Sequence, residues 1–283
     1  MNHLSQTVPL QYDTGFSPYP ASDWKAAFAD ISAKGFTGVE IAVAYPDKMD
    51  ADAICRCAEE NKLAVTTIST GQIFGRDGVF LASPDEALRE GATEALRQHI
   101  LLSARIGRPN VTIGLLRGRP QQPMELSMSL LKSTVDTLAN FAAKHGVIVQ
   151  FEPINHNETN LVNSTYEALD FIASLGNPES LGLLFDAYHS RIEDGDSIAA
   201  IKAAAGRITN FHIADSHRGL PGEGEIDFPA LMAAAMATGY NGAFTLETLS
   251  VPSKEHVVEH QGKALIAAYK SALEILNQGG TAK

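Results

Sequence analysis

The feature that most constrains the fold is a strand-then-helix pattern that repeats eight times along the 283 residues. Most of the predicted strands are short apolar runs, and the segments between them show the apolar spacing of helices that bury one face. Buried strands that alternate with such helices are typical of a parallel sheet covered by helices. The pattern predicts strands over residues 8–14, 37–43, 63–69, 110–115, 147–151, 181–185, 208–213 and 242–246.

The eight units follow one another without a linker or a change in composition, which predicts one domain over residues 1–283. Eight units in a chain of this length favour a closed barrel. An open doubly wound sheet is the alternative, but the glycine fingerprint GxGxxG is absent after the first predicted strand. The predicted fold class is therefore α/β, a single (β/α)8 TIM barrel.

Two connections that follow strands carry further expectations. Residues 71–84, after the third strand, are glycine-punctuated and are predicted to be a long loop. This loop is either a lid over the barrel mouth or a solvated surface segment. Arg117 and Arg119 follow the fourth strand and would face the mouth. Either they hold an anionic group of a substrate or they pair with acids on the surface, and we favour surface pairs.

Polar side chains end four consecutive predicted strands, the fifth to the eighth. They are Glu152, Asp186, His212 and Glu247. The C-terminal strand ends of a β/α barrel face its active-site mouth, so these side chains are expected to converge. A single carboxylate at a strand end often caps the next helix, but three together would repel each other unless a cation neutralised them. Oxygen and nitrogen ligands suit Mn²⁺, Mg²⁺ or Co²⁺.

The segments around these four residues resemble the xylose isomerase-like barrel superfamily, also called sugar phosphate isomerases/epimerases. The resemblance covers essentially the whole chain and is closest to the ketose 3-epimerases that act on D-tagatose and D-psicose. It is carried by FEPINHNETN from residue 151, LLFDAYHS from residue 183, FHIADSHRGLPGEGEIDF from residue 211 and TLETL from residue 245.

This resemblance implies that the four strand-end residues bind one divalent cation, with Mn²⁺ the expected metal. It also implies that Glu152 and Glu247 act as acid/base groups on opposite faces of a sugar substrate. Contacts with the substrate are implied for Glu158, His189 and Arg218. The reaction implied is epimerisation or isomerisation by removal of a proton next to a carbonyl, through a cis-enediolate.

Three positions depart from the family pattern around the site. His217 stands before Arg218 where the family has asparagine, and His156 stands where the family usually has arginine. Thr248 follows the last glutamate, where these epimerases often have proline. The departures leave the implied metal ligands intact and bear on which sugar is bound.

Other activities use the same barrel and are the alternatives to an epimerase or isomerase. A metal-dependent dehydratase of a keto-polyol, such as an inosose, would begin with the same proton removal. A nuclease like endonuclease IV would need further histidine ligands for several zinc ions and a basic groove. A non-catalytic sugar-binding subunit would bind the sugar without turnover.

Charge and cysteine content bear on partners and location. The chain has 22 basic and 33 acidic residues and a net charge of −11, which argues against a nucleic-acid partner. Cys55 and Cys57 are too close in sequence to form a disulfide within a helix, which suits a reducing compartment. With no signal peptide and no apolar run near 18 residues, we expect a cytoplasmic protein without a membrane span. The expected assembly is a homo-oligomer, a dimer or a tetramer.

Overall fold

The computed structural model describes residues 2–120 and 123–280. Eight parallel strands close into a barrel in sequence order, and the eighth pairs with the first. The predicted (β/α)8 TIM barrel is confirmed. The strands are β1 His3–Pro9, β2 Gly38–Ala42, β3 Ala64–Ser69, β4 Asn110–Ile113, β5 Val149–Phe151, β6 Leu181–Asp186, β7 Ile208–Ile213 and β8 Ala243–Leu246.

Ten α-helices lie in the described part of the chain. Several begin at an acidic residue whose carboxylate accepts backbone N–H groups of the first turn, among them Asp50, Asp85 and Asp227. None of the ten is long and apolar enough to cross a membrane. The helices are α1 Trp24–Ala33, α2 Ala51–Glu60, α3 Gly71–Asp77, α4 Glu86–Arg105, α5 Met124–His145, α6 Thr165–Ser174, α7 Ala187–Glu193, α8 Ser197–Ala203, α9 Phe228–Ala237 and α10 Lys254–Gly280.

Side chains on β5 show which face of a strand points into the barrel. The ring of Phe151 packs against Phe171 of α6, with ring centroids 4.8 Å apart, so it points outward toward the helices. Its neighbour Gln150 points the other way and bonds Thr112 of β4 and Thr209 of β7 inside the barrel. Alternation along a strand places Glu152, two residues after Gln150, on the same inward face.

The first strand lies earlier than the sequence predicted. It spans His3–Pro9 instead of residues 8–14, and its residues pair in register with β2 and β8. The sequence pattern missed the start of this strand because Ser5, Gln6 and Thr7 are polar. Polar residues in a row usually indicate a surface segment, but these three are buried. Barrel interiors accept such residues when they find partners, and Ser5 Oγ lies 3.0 Å from Thr66 Oγ1 of β3.

Residues 71–84 are not one long loop, which corrects the first of the two expectations about connections. The first half forms α3, and Gly78 ends it with φ of 68°, a conformation that favours glycine. The helix is held at its end by Asp77, which accepts a hydrogen bond from the Tyr45 hydroxyl at 2.7 Å. The guanidinium of Arg76 lies over the ring of Tyr12, 3.5 Å from its centroid. Closure of this segment over the mouth stays a prediction.

Candidate active site

The four strand-end residues predicted to converge do so at the mouth of the barrel. One ligand atom from each of the four lies within 4.8 Å of the corresponding atoms of the others. Three of the side chains are buried and the fourth, that of Glu247, is 17% exposed. Such a group of three carboxylates and one imidazole can hold one metal ion. The four residues are Glu152, Asp186, His212 and Glu247.

Parallel strand pairing sets these four side chains at one height. Asp186 of β6 pairs in register with His212 of β7. The two glutamates stand one residue past the ends of β5 and β8, where the ladder of backbone hydrogen bonds still continues. Glu152 N donates to Ile113 O at 3.1 Å, and Glu247 N donates to Ile213 O at 3.2 Å. The convergence therefore follows from the backbone register.

The imidazole of His212 lies at the centre of the cluster. Its Nδ1 is 3.3 Å from Glu247 Oε2, 3.6 Å from Glu152 Oε1 and 3.7 Å from Asp186 Oδ2. Both His212 Nδ1 and Asp186 Oδ2 are buried without a hydrogen-bond partner among the described residues. Buried polar atoms without partners are costly, and a cation among them would give both atoms a ligand bond. The residues present therefore fit a divalent cation.

Asp186 combines the two roles that the sequence left open for a strand-end carboxylate. Its Oδ1 accepts the backbone N–H of His189 at 3.0 Å and so caps α7. Its Oδ2 faces His212 in the cluster. One carboxylate thus starts a helix and offers its second oxygen as a ligand.

Charges in the cluster shift the pKa values of its members. Burial raises the pKa of Glu152 above that of an ordinary glutamate. Burial would also raise the pKa of Asp186, but the electrostatic interaction with His189 and the contact with His212 outweigh it and hold that pKa low. Burial alone would lower the pKa of His212, yet the carboxylates of Glu40 and Glu247 raise it well above its usual range. The site therefore favours a positive charge among its carboxylates, the charge that a divalent cation would bring.

The three predicted substrate contacts lie together beside this cluster. Arg218 Nη2 is 2.6 Å from Glu158 Oε1 and 3.2 Å from His189 Nε2. Asn155 joins them, because its Nδ2 donates to Glu158 Oε1 at 3.0 Å and its backbone N–H donates to His189 Nδ1 at 3.3 Å. Glu158, His189 and Arg218 line the same cavity as three of the candidate metal ligands.

The side chain of Arg218 is fixed by two aromatic rings. Its guanidinium carbon lies 4.3 Å from the ring centroid of Tyr188 and 4.9 Å from that of Phe16. Its backbone has φ of 60°, and Leu249 N donates to Arg218 O at 2.7 Å. The side chain therefore arrives at the cavity in a preset position.

Asp215 builds the loop that carries Arg218, a role that sequence reasoning missed. The carboxylate is fully buried and accepts backbone N–H groups at 2.7 to 3.1 Å. A carboxylate among several glycines was the available signal, because glycine lets backbone N–H groups approach one acceptor closely. The donors are Ser216, Gly222, Gly224 and Ile226.

The cavity at the mouth has a volume of about 190 Å³, below the about 300–1,000 Å³ of sites for drug-sized ligands. One wall carries the charged residues described above. The ends of β1 to β4 and the connections that follow them contribute mostly small residues to the rest of the lining, together with Phe16, Gln72 and Leu115. Among the described residues that line the cavity, Arg218 is the single arginine or lysine. The small residues include Thr7, Ala42, Ser69, Thr112 and Gly114.

Arg117 does not have the role that we favoured from the sequence. Its side chain is fully buried instead of pairing with surface acids. Nε donates to Gly114 O at 3.0 Å, and Nη1 donates to Leu161 O at 3.0 Å and to Val162 O at 2.9 Å. The guanidinium joins the fourth and fifth connections, because backbone carbonyls there accept from its Nε and Nη1. Its Nη2 is buried without a hydrogen-bond partner among the described residues. Arg119 is exposed and lies outside the lining of the cavity.

Glu40 of β2 is the second residue of the site that sequence reasoning missed. It is fully buried, and its Oε2 lies 3.0 Å from His212 Nε2. Asn210 Nδ2 donates to the same oxygen at 3.1 Å. The available signal was a carboxylate in the middle of an otherwise apolar strand, GVEIA.

Comparison with known proteins places the chain in a family. The family model described as xylose isomerase-like TIM barrel matches residues 28–276. An L-ribulose 3-epimerase of Mesorhizobium japonicum is 30% identical over 232 residues, which cover 81% of this chain and 76% of the relative. A ketose 3-epimerase of Arthrobacter globiformis is 29% identical over 220 residues, which cover 76% of this chain and 74% of the relative.

A solved structure of an L-ribulose 3-epimerase superposes on the chain with a TM-score of 0.84. The two sequences are 25% identical, and the match covers 99% of this chain and 97% of the other. Family match, sequence identity and closed barrel agree with one another. The chain is therefore an isomerase-class enzyme that belongs to the xylose isomerase-like TIM barrel family.

Proposed function

We propose that the chain is a divalent-metal-dependent epimerase of an unphosphorylated keto sugar, with Mn²⁺ as its metal. The observation that carries the proposal is the cluster of three carboxylates and one imidazole within 4.8 Å at the mouth cavity. The partnerless buried atoms His212 Nδ1 and Asp186 Oδ2 support the metal. The epimerases among the relatives support the reaction class.

A cation held by the four residues supplies stabilisation of the negative charge that develops on the substrate oxygens. Glu152 and Glu247 exchange protons with the carbon next to the carbonyl, because both line the cavity from different strands. One glutamate removes the proton to give a cis-enediolate, and the other returns a proton to the opposite face, which inverts that carbon.

Recognition of the sugar falls to Glu158, His189 and Arg218, whose polar atoms can bond hydroxyl groups. An unphosphorylated substrate is favoured because Arg218 is the one arginine or lysine among the described lining residues. Its Nη2 already bonds Glu158, so its charge is balanced before a substrate binds. A cavity that binds a phosphate group typically offers it an unpaired cation.

The test is a sugar screen in D₂O with Mn²⁺ present, with L-ribulose, D-psicose, D-tagatose and D-fructose as candidate substrates. We expect the epimer at the carbon next to the carbonyl, with one solvent deuterium at that carbon, and no turnover after treatment with EDTA. A product that has lost water would instead establish a dehydratase, and an aldose product would establish a 1,2-isomerase. Full activity without metal would contradict the metal site. The homo-oligomer and the cytoplasmic location stay predictions.

A further inference from the structure

We infer that Glu40 is a positioning residue for the metal: it holds His212 with Nδ1 turned toward the other three ligands. The inference rests on the metal site proposed above. Glu40 belongs to β2, outside the four strands that supply the ligands, and its Oε2 lies 3.0 Å from His212 Nε2. It thus contacts the one ligand that it can orient and lies behind that ligand, away from the cluster at Nδ1.

The contact decides which ring nitrogen of His212 can bind a cation. A neutral imidazole has one N–H group and one lone pair, and a metal ligand must offer the lone pair. Carboxylate oxygens face both nitrogens, Glu40 at Nε2 and the cluster at Nδ1. Without Glu40, the carboxylates near the ring among the described residues would all lie at Nδ1. The N–H group would then be favoured on Nδ1, facing those carboxylates. Glu40 draws the N–H to Nε2 and leaves the lone pair of Nδ1 for the cation.

Glu40 is itself held in place by a chain of buried side chains. Asn210 Nδ2 donates to Glu40 Oε2 at 3.1 Å, and Thr245 Oγ1 donates to Asn210 Oδ1 at 3.2 Å. All three are buried inside the barrel, on β2, β7 and β8. The chain fixes the direction from which Oε2 meets the imidazole ring.

Burial of Glu40 is costly if it serves only the packing of the barrel. Its side chain is fully buried, and its Oε1 has no hydrogen-bond partner among the described residues. A carboxylate in that position loses its hydration, whereas an apolar side chain would fill the same space without that loss. The contact with the imidazole of His212 offsets part of this cost and gives the carboxylate a functional role.

The experiment is calorimetric titration of the metal-stripped full chain with Mn²⁺, which needs no sugar. Glu40→Gln keeps the size of the side chain but replaces the carboxylate by a neutral amide. We expect the dissociation constant for Mn²⁺ to rise about 10- to 100-fold, the usual effect of losing a residue that orients a metal ligand. Turnover measured with an active sugar should return toward that of the original chain as Mn²⁺ is raised. A loss due to general damage to the fold would not be recovered in this way.

Gln150→Met is the matched control, because Gln150 is equally buried in the barrel and, among the described residues, its side chain bonds only Thr112 and Thr209. Its Mn²⁺ affinity should equal that of the original chain. If Glu40→Gln does not fold, Asn210→Ser tests the same chain of contacts, and a loss of Mn²⁺ affinity is again expected.

Three outcomes would overturn the inference, and they differ from a failure of the proposed function. Unchanged Mn²⁺ affinity in folded Glu40→Gln, or in its substitute Asn210→Ser, would remove the positioning role and leave the metal site intact. An equal loss of Mn²⁺ affinity in Gln150→Met would show that any change inside the barrel weakens Mn²⁺ binding. Absence of Mn²⁺ binding by the original chain would remove the metal site and this role together. Absence of sugar turnover with Mn²⁺ still bound would count only against the proposed reaction.

Discussion

The two halves of the barrel contribute different chemistry to one cavity. Strands β5 to β8 supply the four candidate metal ligands, and the connections after β5, β6 and β7 supply Glu158, His189 and Arg218. Strands β1 to β4 and their connections contribute mostly small residues without charge, such as Thr7, Ala42 and Gly114. The cavity is thus divided into two walls. The reacting wall is formed by the β5 to β8 half, which carries the candidate metal ligands, and the second wall is formed by the β1 to β4 half, whose mostly small side chains leave space for the sugar.

The division is not complete, because one carboxylate of the β1 to β4 half reaches the reacting wall from behind. Among the described residues of β1 to β4, Glu40 is the only buried acid, and it contacts His212 instead of the cavity. Changes in the β5 to β8 half should therefore affect proton transfer and metal binding. Changes on the opposite wall should affect mainly the fit of the sugar.

The largest effect is expected from the two glutamates of the reacting wall. Glu152→Gln and Glu247→Gln each keep an oxygen that can contact a cation but remove a proton-transfer group. Inversion needs both groups in each turnover, so either change should slow epimer formation by about 10² to 10⁴. The rate of product formation, followed by NMR, measures the loss.

Exchange with D₂O sharpens this prediction, because each variant keeps one of the two groups. The variant that keeps the base for a given epimer should still exchange that epimer's proton without inverting the carbon. Mn²⁺ titration of both variants is the control for metal loss. Interconversion of epimers near the original rate in each single variant would refute the two-base mechanism.

Asp186→Asn tests metal binding in the same half. The asparagine Oδ1 can still accept the N–H of His189 and cap α7, so the fold should be kept. The charge of the ligating oxygen is lost, and the dissociation constant for Mn²⁺ should rise by at least about 10- to 100-fold, the loss typical of a residue behind a ligand. Calorimetric titration measures it. Unchanged Mn²⁺ affinity would exclude Asp186 as a ligand.

Arg218→Ala separates substrate binding from metal binding within the reacting wall. Arg218 lies beyond the strand ends and bonds Glu158 and His189, so its loss should leave Mn²⁺ affinity unchanged. Charge-assisted hydrogen bonds contribute about 1.5 to 3 kcal/mol, so kcat/KM should fall about 10- to 100-fold. Arg218→Lys is the matched control. It keeps the positive charge but loses the planar, forked arrangement of donors, so its kcat/KM should fall less than that of Arg218→Ala. Loss of Mn²⁺ from Arg218→Ala would make this assignment wrong.

The sequence predicts the β5 to β8 half better than the other half, for physical reasons. Strand β7 has the predicted bounds, Ile208–Ile213, because Ile208, Phe211 and Ile213 mark the segment as buried and a polar, glycine-rich loop follows it. Strand β1 was misplaced, because Ser5, Gln6 and Thr7 are polar yet lie buried among neighbouring strands. A local pattern reports burial only when burial coincides with an apolar side chain.

The parts of the site that the sequence did not reveal depend on contacts between distant residues. Glu40 and His212 are 172 positions apart, and only closure of the barrel brings them together. Arg117 was expected on the surface because arginines are mostly exposed. Carbonyls of Leu161 and Val162, 44 and 45 positions away, accept hydrogen bonds from its Nη1 inside the protein. Neither contact leaves a trace in local sequence spacing.

The smallest predicted effect belongs to the β1 to β4 wall and tests whether that wall only fits the sugar. Thr7 lines the cavity, and its Oγ1 is buried without a hydrogen-bond partner among the described residues. Thr7→Val keeps the shape and removes the hydroxyl, so the fold loses no internal hydrogen bond. If that hydroxyl bonds a sugar hydroxyl, KM should rise about 2- to 10-fold, because a neutral hydrogen bond contributes about 0.5 to 1.5 kcal/mol.

Thr67→Val is the matched control for Thr7→Val. Among the described residues, Thr67 Oγ1 is also buried without a hydrogen-bond partner, but Thr67 lies outside the cavity lining. Its KM should not change, and kcat should be unchanged in both variants. A fall in kcat of Thr7→Val as large as that of the glutamate variants would mean that this wall takes part in proton transfer, and the division between the two halves would be wrong.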